Sequence, residues 1–203
     1  MSKFLDLINN QRSEKKEEKF KGTFLEYLAL IQENPDIAKP SHKRLYDSIK
    51  KFGVQTLDDG DPRKKTIFND DNIKIYDYFK SQFFGNERVI QKLMHFLQSA
   101  SLRGEESRQV LLLMGPVGAG KSALTEHIKD ALDGEIYYHL DGDPQRGEPL
   151  QLLPRSLRSQ FEEMLGVKIE GDLSPVARHV LLEDYGGEYE NFKVRTSTFS
   201  QRG

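Results

Sequence analysis

The stretch that decides the fold is Val110-Leu111-Leu112-Leu113-Met114-Gly115-Pro116-Val117-Gly118-Ala119-Gly120-Lys121-Ser122. Its first five residues are continuously apolar, which is typical of a parallel strand buried on both faces. The glycines that follow permit backbone conformations that residues with a Cβ avoid. Residues 123–132 then have a helical pattern, with Gly134 after them. The stretch therefore predicts a strand, a glycine-rich loop and a helix in that order.

The loop has the spacing G-x-x-x-x-G-K-S, which suits the phosphates of a nucleoside triphosphate. Successive backbone N–H groups can form an anion-binding nest at the positive end of the following helix. The Lys121 ammonium is placed to reach the β and γ phosphates, and the Ser122 hydroxyl to ligate magnesium. A chance glycine turn is disfavoured because an apolar run precedes the loop and a helix follows it. We expect the binding residues to be Gly115, Pro116, Val117, Gly118, Ala119, Gly120, Lys121 and Ser122.

We interpret residues 135–140, which follow this helix, as a second strand. A strand, a helix and a further strand make one βαβ unit, so the sheet should be parallel. The predicted fold is α/β: a P-loop NTPase, similar to the AAA+ type, whose parallel sheet is flanked by helices and incomplete in this chain. A small helical region precedes it, with helices beginning at Thr23 and Ser41.

The pattern divides the chain into three parts. Residues 1–21 are predicted to be a charged arm, residues 22–65 a helical N-terminal region, and residues 66–203 a partial nucleotide-binding domain. The second boundary lies in the polar turn around Asp58 to Lys65.

Composition excludes several classes of function. The chain has no cysteine, so disulfides, thiolate zinc sites and cysteine nucleophiles are excluded. A net charge of −2 gives no reason to expect nucleic acid as a partner. No signal peptide or membrane-spanning run is visible, so we expect a cytoplasmic protein without a membrane partner. The five histidines have no metal-ligand spacing among themselves.

Phosphoryl transfer needs a second acidic residue for magnesium, usually at the end of an apolar strand. Residues 180–184 superficially offer such a strand, but their surroundings favour a helix. Asp141 and Asp143 follow the second predicted strand, so they could contact magnesium, although Asp-Gly-Asp-Pro is also an ordinary turn. Phe83 and Phe84 could line a nucleobase pocket or could simply anchor the next helix.

From Thr23 to about Arg195 the chain resembles the N-terminal part of the PrkA-type serine protein kinases, which are built on an AAA+ domain. The matching segments are Phe24-Leu25-Glu26-Tyr27-Leu28, Asp61-Pro62, Ile67-Phe68, Tyr78-Phe79, Phe83-Phe84-Gly85-Asn86-Glu87, residues 111–122, Glu148-Pro149-Leu150, Leu152-Leu153-Pro154 and residues 182–187. The motif Gly-Pro-Val-Gly-x-Gly-Lys-Ser is more specific than the general phosphate-loop pattern.

This resemblance implies an AAA+ fold, ATP with Mg²⁺, and serine/threonine protein kinase activity toward a protein substrate. It also implies that the full-length protein can form a homo-oligomer. The family has a Cys and a His where this chain has residues 143–147. Family members are also much longer, so we expect a fragment that lacks the second magnesium-binding acid and the arginine finger. No catalytic residue is identified, and the isolated chain should bind nucleotide but transfer phosphate poorly.

Two other functions stay open. The first is an AAA+ protein remodeller or a component of an ATP-dependent protease, in which ATP hydrolysis moves a partner protein. The second is an interaction module in which residues 1–65 bind a partner and nucleotide binding controls how ordered the chain is. The sequence itself shows neither a His-Arg-Asp catalytic loop nor an Asp-Phe-Gly metal motif.

Overall fold

The computed structural model describes residues 20–69 and 72–199. The predicted arm at residues 1–21 therefore lies almost wholly outside the described residues. The strands in the described part are β1 (Lys21–Thr23), β2 (Val54–Thr56), β3 (Lys74–Tyr76), β4 (Ile136–Leu140) and β5 (Lys193–Thr198). The α-helices are α1 (Phe24–Glu33), α2 (Ser41–Lys50), α3 (Pro62–Thr66), α4 (Glu87–Ser101), α5 (Lys121–Asp130), α6 (Arg155–Leu165) and α7 (Pro175–Glu183). The 3₁₀ turns are Pro35–Ala38, Asp77–Phe79, Glu105–Arg108, Pro149–Leu152 and Tyr189–Asn191.

These elements group into two compact units. One unit contains residues 20–39 with Gly134–Phe199, and the other contains Pro40–Asp133. This grouping differs from the three parts expected from the sequence, and the boundary between residues 65 and 66 stays a prediction. No helix in the described ranges is long and apolar enough to cross a membrane.

The first unit is built on a three-stranded sheet with the order β1-β5-β4. Both pairings are antiparallel, and Arg195 lies opposite Lys21 on one side and His139 on the other. The core face of the sheet carries Leu140 and Val194, which are fully buried. The other buried members of this core are Phe24, Tyr27, Ile31, Ala38, Leu150, Leu152, Leu153, Leu165, Ile169, Ala177 and Phe192.

Local signals set the ends of the helices in this unit. At α1, the Thr23 hydroxyl accepts from the Glu26 N–H at 3.3 Å, and Glu26 Oε2 accepts from the Thr23 N–H at 2.7 Å. This reciprocal cap satisfies two N–H groups that the first helical turn leaves unpaired. At α7, the Ser174 hydroxyl accepts from the Ala177 N–H, and Pro175 occupies the first helical position. Residues 180–183 thus lie in a helix, which confirms the helical interpretation of that segment.

The second unit packs its helices around α4. The buried face of α4 carries Ile90, Leu93, Met94 and Leu97, and it packs with the other core members Ile49, Tyr76, Phe79, Phe83, Leu124 and Ala131. Strands β2 and β3 pair antiparallel in this unit. Helix α5 contributes Leu124 near its start and is followed by Ala131, so its apolar side faces this core.

The expected parallel sheet is not formed within the described residues, where all strand pairs are antiparallel. Residues 110–114 form no strand, and the side chains of Val110, Leu112 and Met114 are 91%, 73% and 84% exposed. A parallel strand needs a neighbour for its N–H and C=O groups. Here β4, the expected neighbour, pairs with β5, which returns antiparallel beside it. The α/β character is confirmed, and the parallel arrangement was wrong for these strands.

Candidate functional site

The glycine-rich loop adopts an alternating backbone. Gly118 has φ of 81° and Gly120 has φ of 77°, while Val117 before them and Ala119 between them keep φ out of the positive region. Only glycine takes such angles without strain, which explains the two glycine positions. Alternation between right- and left-handed residues turns successive N–H groups toward one side and makes an anion-binding nest.

Several N–H groups of the loop are available to a ligand. Within the described residues, no acceptor pairs with the N–H groups of Gly118, Gly120, Lys121 or Ser122. The Leu124 N–H, by contrast, donates to the Gly120 carbonyl at 2.8 Å and begins the helical ladder of α5. Unpaired N–H groups at a helix N-terminus attract anions, because the helix dipole is positive there. The loop therefore fits a phosphate group.

The Lys121 ammonium lies over the loop. Its Nζ donates to the carbonyl oxygens of Gly115 at 2.8 Å and Pro116 at 2.6 Å. An ammonium group has three donors, so one remains for a phosphate oxygen while the other two hold the loop in shape. Lys121 thus both orders the loop and supplies positive charge at its mouth.

Ser122 lies in the first turn of α5, and it is exposed. An exposed hydroxyl at this position can ligate a cation that phosphate oxygens also hold. The ranges 20–69 and 72–199 contain no group of three or more His, Asp or Glu side chains that could hold a metal ion. Mg²⁺ commonly takes only one or two protein ligands and fills its shell with water and phosphate.

The two aspartates after β4 are already engaged in local contacts. Asp143 is 5% exposed, and it accepts from the Gly147 N–H at 2.8 Å and the Ser174 hydroxyl at 2.9 Å, with a third bond from the Gln145 N–H. Asp141 pairs with Arg195 at 2.9 Å. These contacts favour the turn interpretation over a magnesium ligand, since the Asp143 oxygens are directed at the protein.

Phe83 and Phe84 have different environments. Phe83 is buried, and its ring lies 6.0 Å from that of Phe79 and 5.6 Å from that of His127. Phe83 is therefore a packing anchor for the start of α4. Phe84 is 74% exposed, with the Arg63 guanidinium 4.9 Å from its ring centre. A role of Phe84 beside a nucleobase stays a prediction.

An ion-pair network at the start of α4 was missed by the sequence analysis. Arg63 contacts Asp61 through Nη2 at 2.7 Å and Glu87 Oε1 through Nη1 at 2.8 Å. Hydrogen bonds from Arg63 hold the pKa of the Asp61 carboxyl below its ordinary value. Glu87 Oε2 is buried without a hydrogen-bond partner in the described part of the chain. Helical spacing could have revealed the burial of Glu87, because Glu87 falls on the same face of the helix as Ile90.

Arg63→Ala should lower the free energy of unfolding by about 2–3 kcal/mol, because it leaves the buried Glu87 carboxylate unpaired. Chemical denaturation of the variant and the parent measures this difference. Lys65→Ala, which removes an exposed cation two residues away, is the matched control and should change little. Equal stability of Arg63→Ala and Lys65→Ala would show that the network is not stabilising. The double variant Arg63→Met/Glu87→Met should recover part of the loss.

Residues 22–203 match the family described as PrkA AAA domain. The chain belongs to that family. It is 36% identical over 204 residues to the ATP-dependent protease PrkA of Bacillus subtilis, which covers 97% of this chain. It is 29% identical over 188 residues to the serine/threonine kinase YeaG of Escherichia coli, which covers 88% of this chain.

Membership of an AAA domain family implies nucleotide binding. The chain spans only about 30% of the length of these two relatives, 30% of the first and 28% of the second. No solved structure matches the chain.

Proposed function

We propose that this chain is the ATP-binding portion of a PrkA-type protein with an AAA+ core, and that it binds Mg-ATP through residues 115–122. The alternating backbone at Gly118 and Gly120, with unpaired N–H groups at the start of α5, is the observation that carries this proposal. ATP is favoured over GTP because the Bacillus subtilis relative is named an ATP-dependent protease.

In the proposed complex, the phosphate oxygens accept from the loop N–H groups, and Lys121 directs its remaining donor at the β and γ phosphates. Magnesium bound to the Ser122 hydroxyl would neutralise phosphate charge. Asp141 and Asp143 follow β4, and local contacts occupy both of them. The chain is therefore expected to bind nucleotide and to hydrolyse it slowly.

Calorimetric titration of the chain with ATP in the presence of Mg²⁺ tests the binding proposal directly. We expect saturable binding at one site per chain, weakened when Mg²⁺ is removed with a chelator. GTP is the comparison ligand and should bind less tightly. No heat of binding from ATP, with the chain shown to be folded by circular dichroism, would refute the proposal.

The exposed apolar run at residues 110–114 belongs to the same proposal. Five consecutive apolar residues suit a strand buried on both faces, and a large exposed apolar run is normally covered by a partner. We propose that in a longer family member this run becomes a strand of a parallel sheet of the P-loop type. Hydrogen exchange on such a longer protein should show protected amides at Leu111 and Leu113, and fast exchange there would contradict this arrangement.

For the whole protein, the names of the relatives favour two different activities. We propose serine/threonine kinase activity toward a protein substrate as the first, and ATP-dependent proteolysis or remodelling as the second. With full-length protein, label from γ-labelled ATP appearing on serine of a protein substrate would favour the kinase. ATP consumption with cleavage of the substrate and no label, together with nucleotide-dependent assembly of subunits, would favour the protease. Nucleotide binding with neither activity would favour an interaction module.

A further inference from the structure

Tyr78 and His127 form a reciprocal contact although they lie 49 residues apart in the chain. The Tyr78 hydroxyl donates to the His127 backbone carbonyl at 2.7 Å. His127 Nε2 lies 3.0 Å from the Tyr78 backbone carbonyl, which can only accept, so Nε2 carries the proton and donates. The two rings are stacked, with centres 4.3 Å apart and planes 18° apart.

This contact lies at the C-terminal end of α5, whose N-terminus carries the phosphate loop. In a regular helix, the His127 carbonyl would accept from the Ala131 N–H four residues later. The Ala131 N–H bonds instead to the Ile128 carbonyl at 3.2 Å, as the chain tightens after Asp130. The Tyr78 hydroxyl therefore satisfies a carbonyl that the end of the helix leaves unpaired.

The surroundings keep the contact in place. The His127 side chain is 11% exposed, and the ring centres of Phe79 and Phe83 lie 5.5 and 5.6 Å from its own. Phe52 lies against the outer side of Tyr78 at 4.9 Å. Burial, with a smaller effect of the Asp130 carboxylate, raises the pKa of Tyr78, so its hydroxyl stays protonated and able to donate.

The position of the phosphate loop depends on how α5 is held. The segment before the loop anchors it weakly, since Leu113 packs on the core while Leu112 and Met114 are mostly exposed. Apolar contacts of Leu124 and Ala131 hold the helix against the core, but such contacts are non-directional. The paired hydrogen bonds between Tyr78 and His127 are directional, so they fix the rotation of the helix about its axis.

We propose that Tyr78 and His127 are positioning residues for nucleotide binding, acting through α5 to hold the phosphate loop in its binding orientation. The role assigned to both residues is to hold α5 in place, not to contact the nucleotide. The proposal rests on the proposed function of the loop. In this proposal the 3₁₀ turn Asp77–Phe79 supports α5, and the nucleotide affinity of the chain depends on that support.

The test compares two variants that each remove a single hydroxyl. Tyr78→Phe keeps the ring stack and loses the bond to the His127 carbonyl. Tyr46→Phe makes the same chemical change in α2, at the edge of the same core, and is the matched control. Calorimetry at a temperature where both are folded should show ATP affinity about three- to tenfold weaker for Tyr78→Phe and unchanged for Tyr46→Phe. Hydrogen exchange of the Leu124 amide, which donates to the Gly120 carbonyl, should be faster in Tyr78→Phe alone.

His127→Phe supplies an independent variant, because it keeps a ring for stacking and removes the N–H donor. It should weaken ATP binding in the same direction as Tyr78→Phe. Parent-like affinity in either folded variant would overturn the positioning role. Failure of the proposed function gives a different result, namely a parent chain that does not bind ATP at all, and the positioning role would fall with it. If the parent chain binds ATP and Lys121→Ala does not, the proposed function holds. The affinities of Tyr78→Phe and His127→Phe then test the positioning role alone.

Discussion

Replacing Lys121 by alanine should weaken ATP binding by about a hundredfold or more. The substitution removes the charge that would face the β and γ phosphates in the proposed complex, and charge-assisted hydrogen bonds contribute about 1.5–3 kcal/mol each. A loss of about 3 kcal/mol corresponds to about a hundredfold in the dissociation constant. The variant also loses the two bonds from Nζ to the Gly115 and Pro116 carbonyls, so the empty loop should become less ordered as well. Calorimetric titration with Mg-ATP measures the effect.

Lys129→Ala is the control for this substitution. Lys129 lies on the same helix, pairs with Glu126 at 2.7 Å and is 60% exposed, so its removal deletes a cation without disturbing the loop. Its ATP affinity should match that of the parent. Circular dichroism and thermal unfolding establish that both variants are folded before affinities are compared. Equal affinity of Lys121→Ala and the parent would show that the assignment of this lysine is wrong.

Elements set by local signals were predictable from the sequence. Thr23 with Glu26 marks the start of α1, and Ser174 with Pro175 marks the start of α7, because these residues cap a helix by contacts within one turn. The phosphate loop is likewise local, since its glycines, Lys121 and the start of α5 are contiguous. Its alternating backbone follows from where the glycines lie, and motif spacing alone predicts those positions.

Sheet topology could not be predicted in the same way. The run at residues 110–114 has the composition of a buried strand, but composition does not specify the neighbour with which a strand pairs. In the described residues β4 pairs with β5, whose Arg195 and Val194 lie opposite His139 and Leu140. That antiparallel pairing joins segments more than fifty residues apart along the chain, and no local sequence pattern predicts it.

Side-chain contacts between distant segments were also missed. The bonds between Tyr78 and His127, and between Arg63 and Glu87, link residues whose individual patterns read as packing or surface positions. A histidine near aromatic residues is common in a core, so only the three-dimensional structure shows that its ring and carbonyl are both engaged. The first contact lies on α5 and the second at the start of α4, and both lie outside the loop motif.

Asp143→Ala should lower the free energy of unfolding by about 3–4 kcal/mol. Asp143 is 5% exposed and accepts three hydrogen bonds, from the N–H groups of Gln145 and Gly147 and from the Ser174 hydroxyl. Hydrogen bonds to charged groups contribute about 1.5–3 kcal/mol each, and removal of the acceptor also leaves buried donors unpaired. The Ser174 hydroxyl would lose the partner that orients it as the cap of α7. Urea denaturation of the variant and the parent measures the loss.

Asp143→Asn separates the turn interpretation from a magnesium ligand. The variant has the same shape, but its NH₂ group would face donors such as the Gly147 N–H, so it should be destabilised without any metal present. Asp141→Asn is the control, because it changes a partly exposed ion pair with Arg195 and should cost less than about 1 kcal/mol. If Asp143 held magnesium instead, Asp143→Asn would leave stability in metal-free buffer unchanged and would weaken the Mg²⁺ dependence of ATP binding. That pair of results would contradict the structural role argued for Asp143, whereas a loss of stability that Mg²⁺ does not alter would support it.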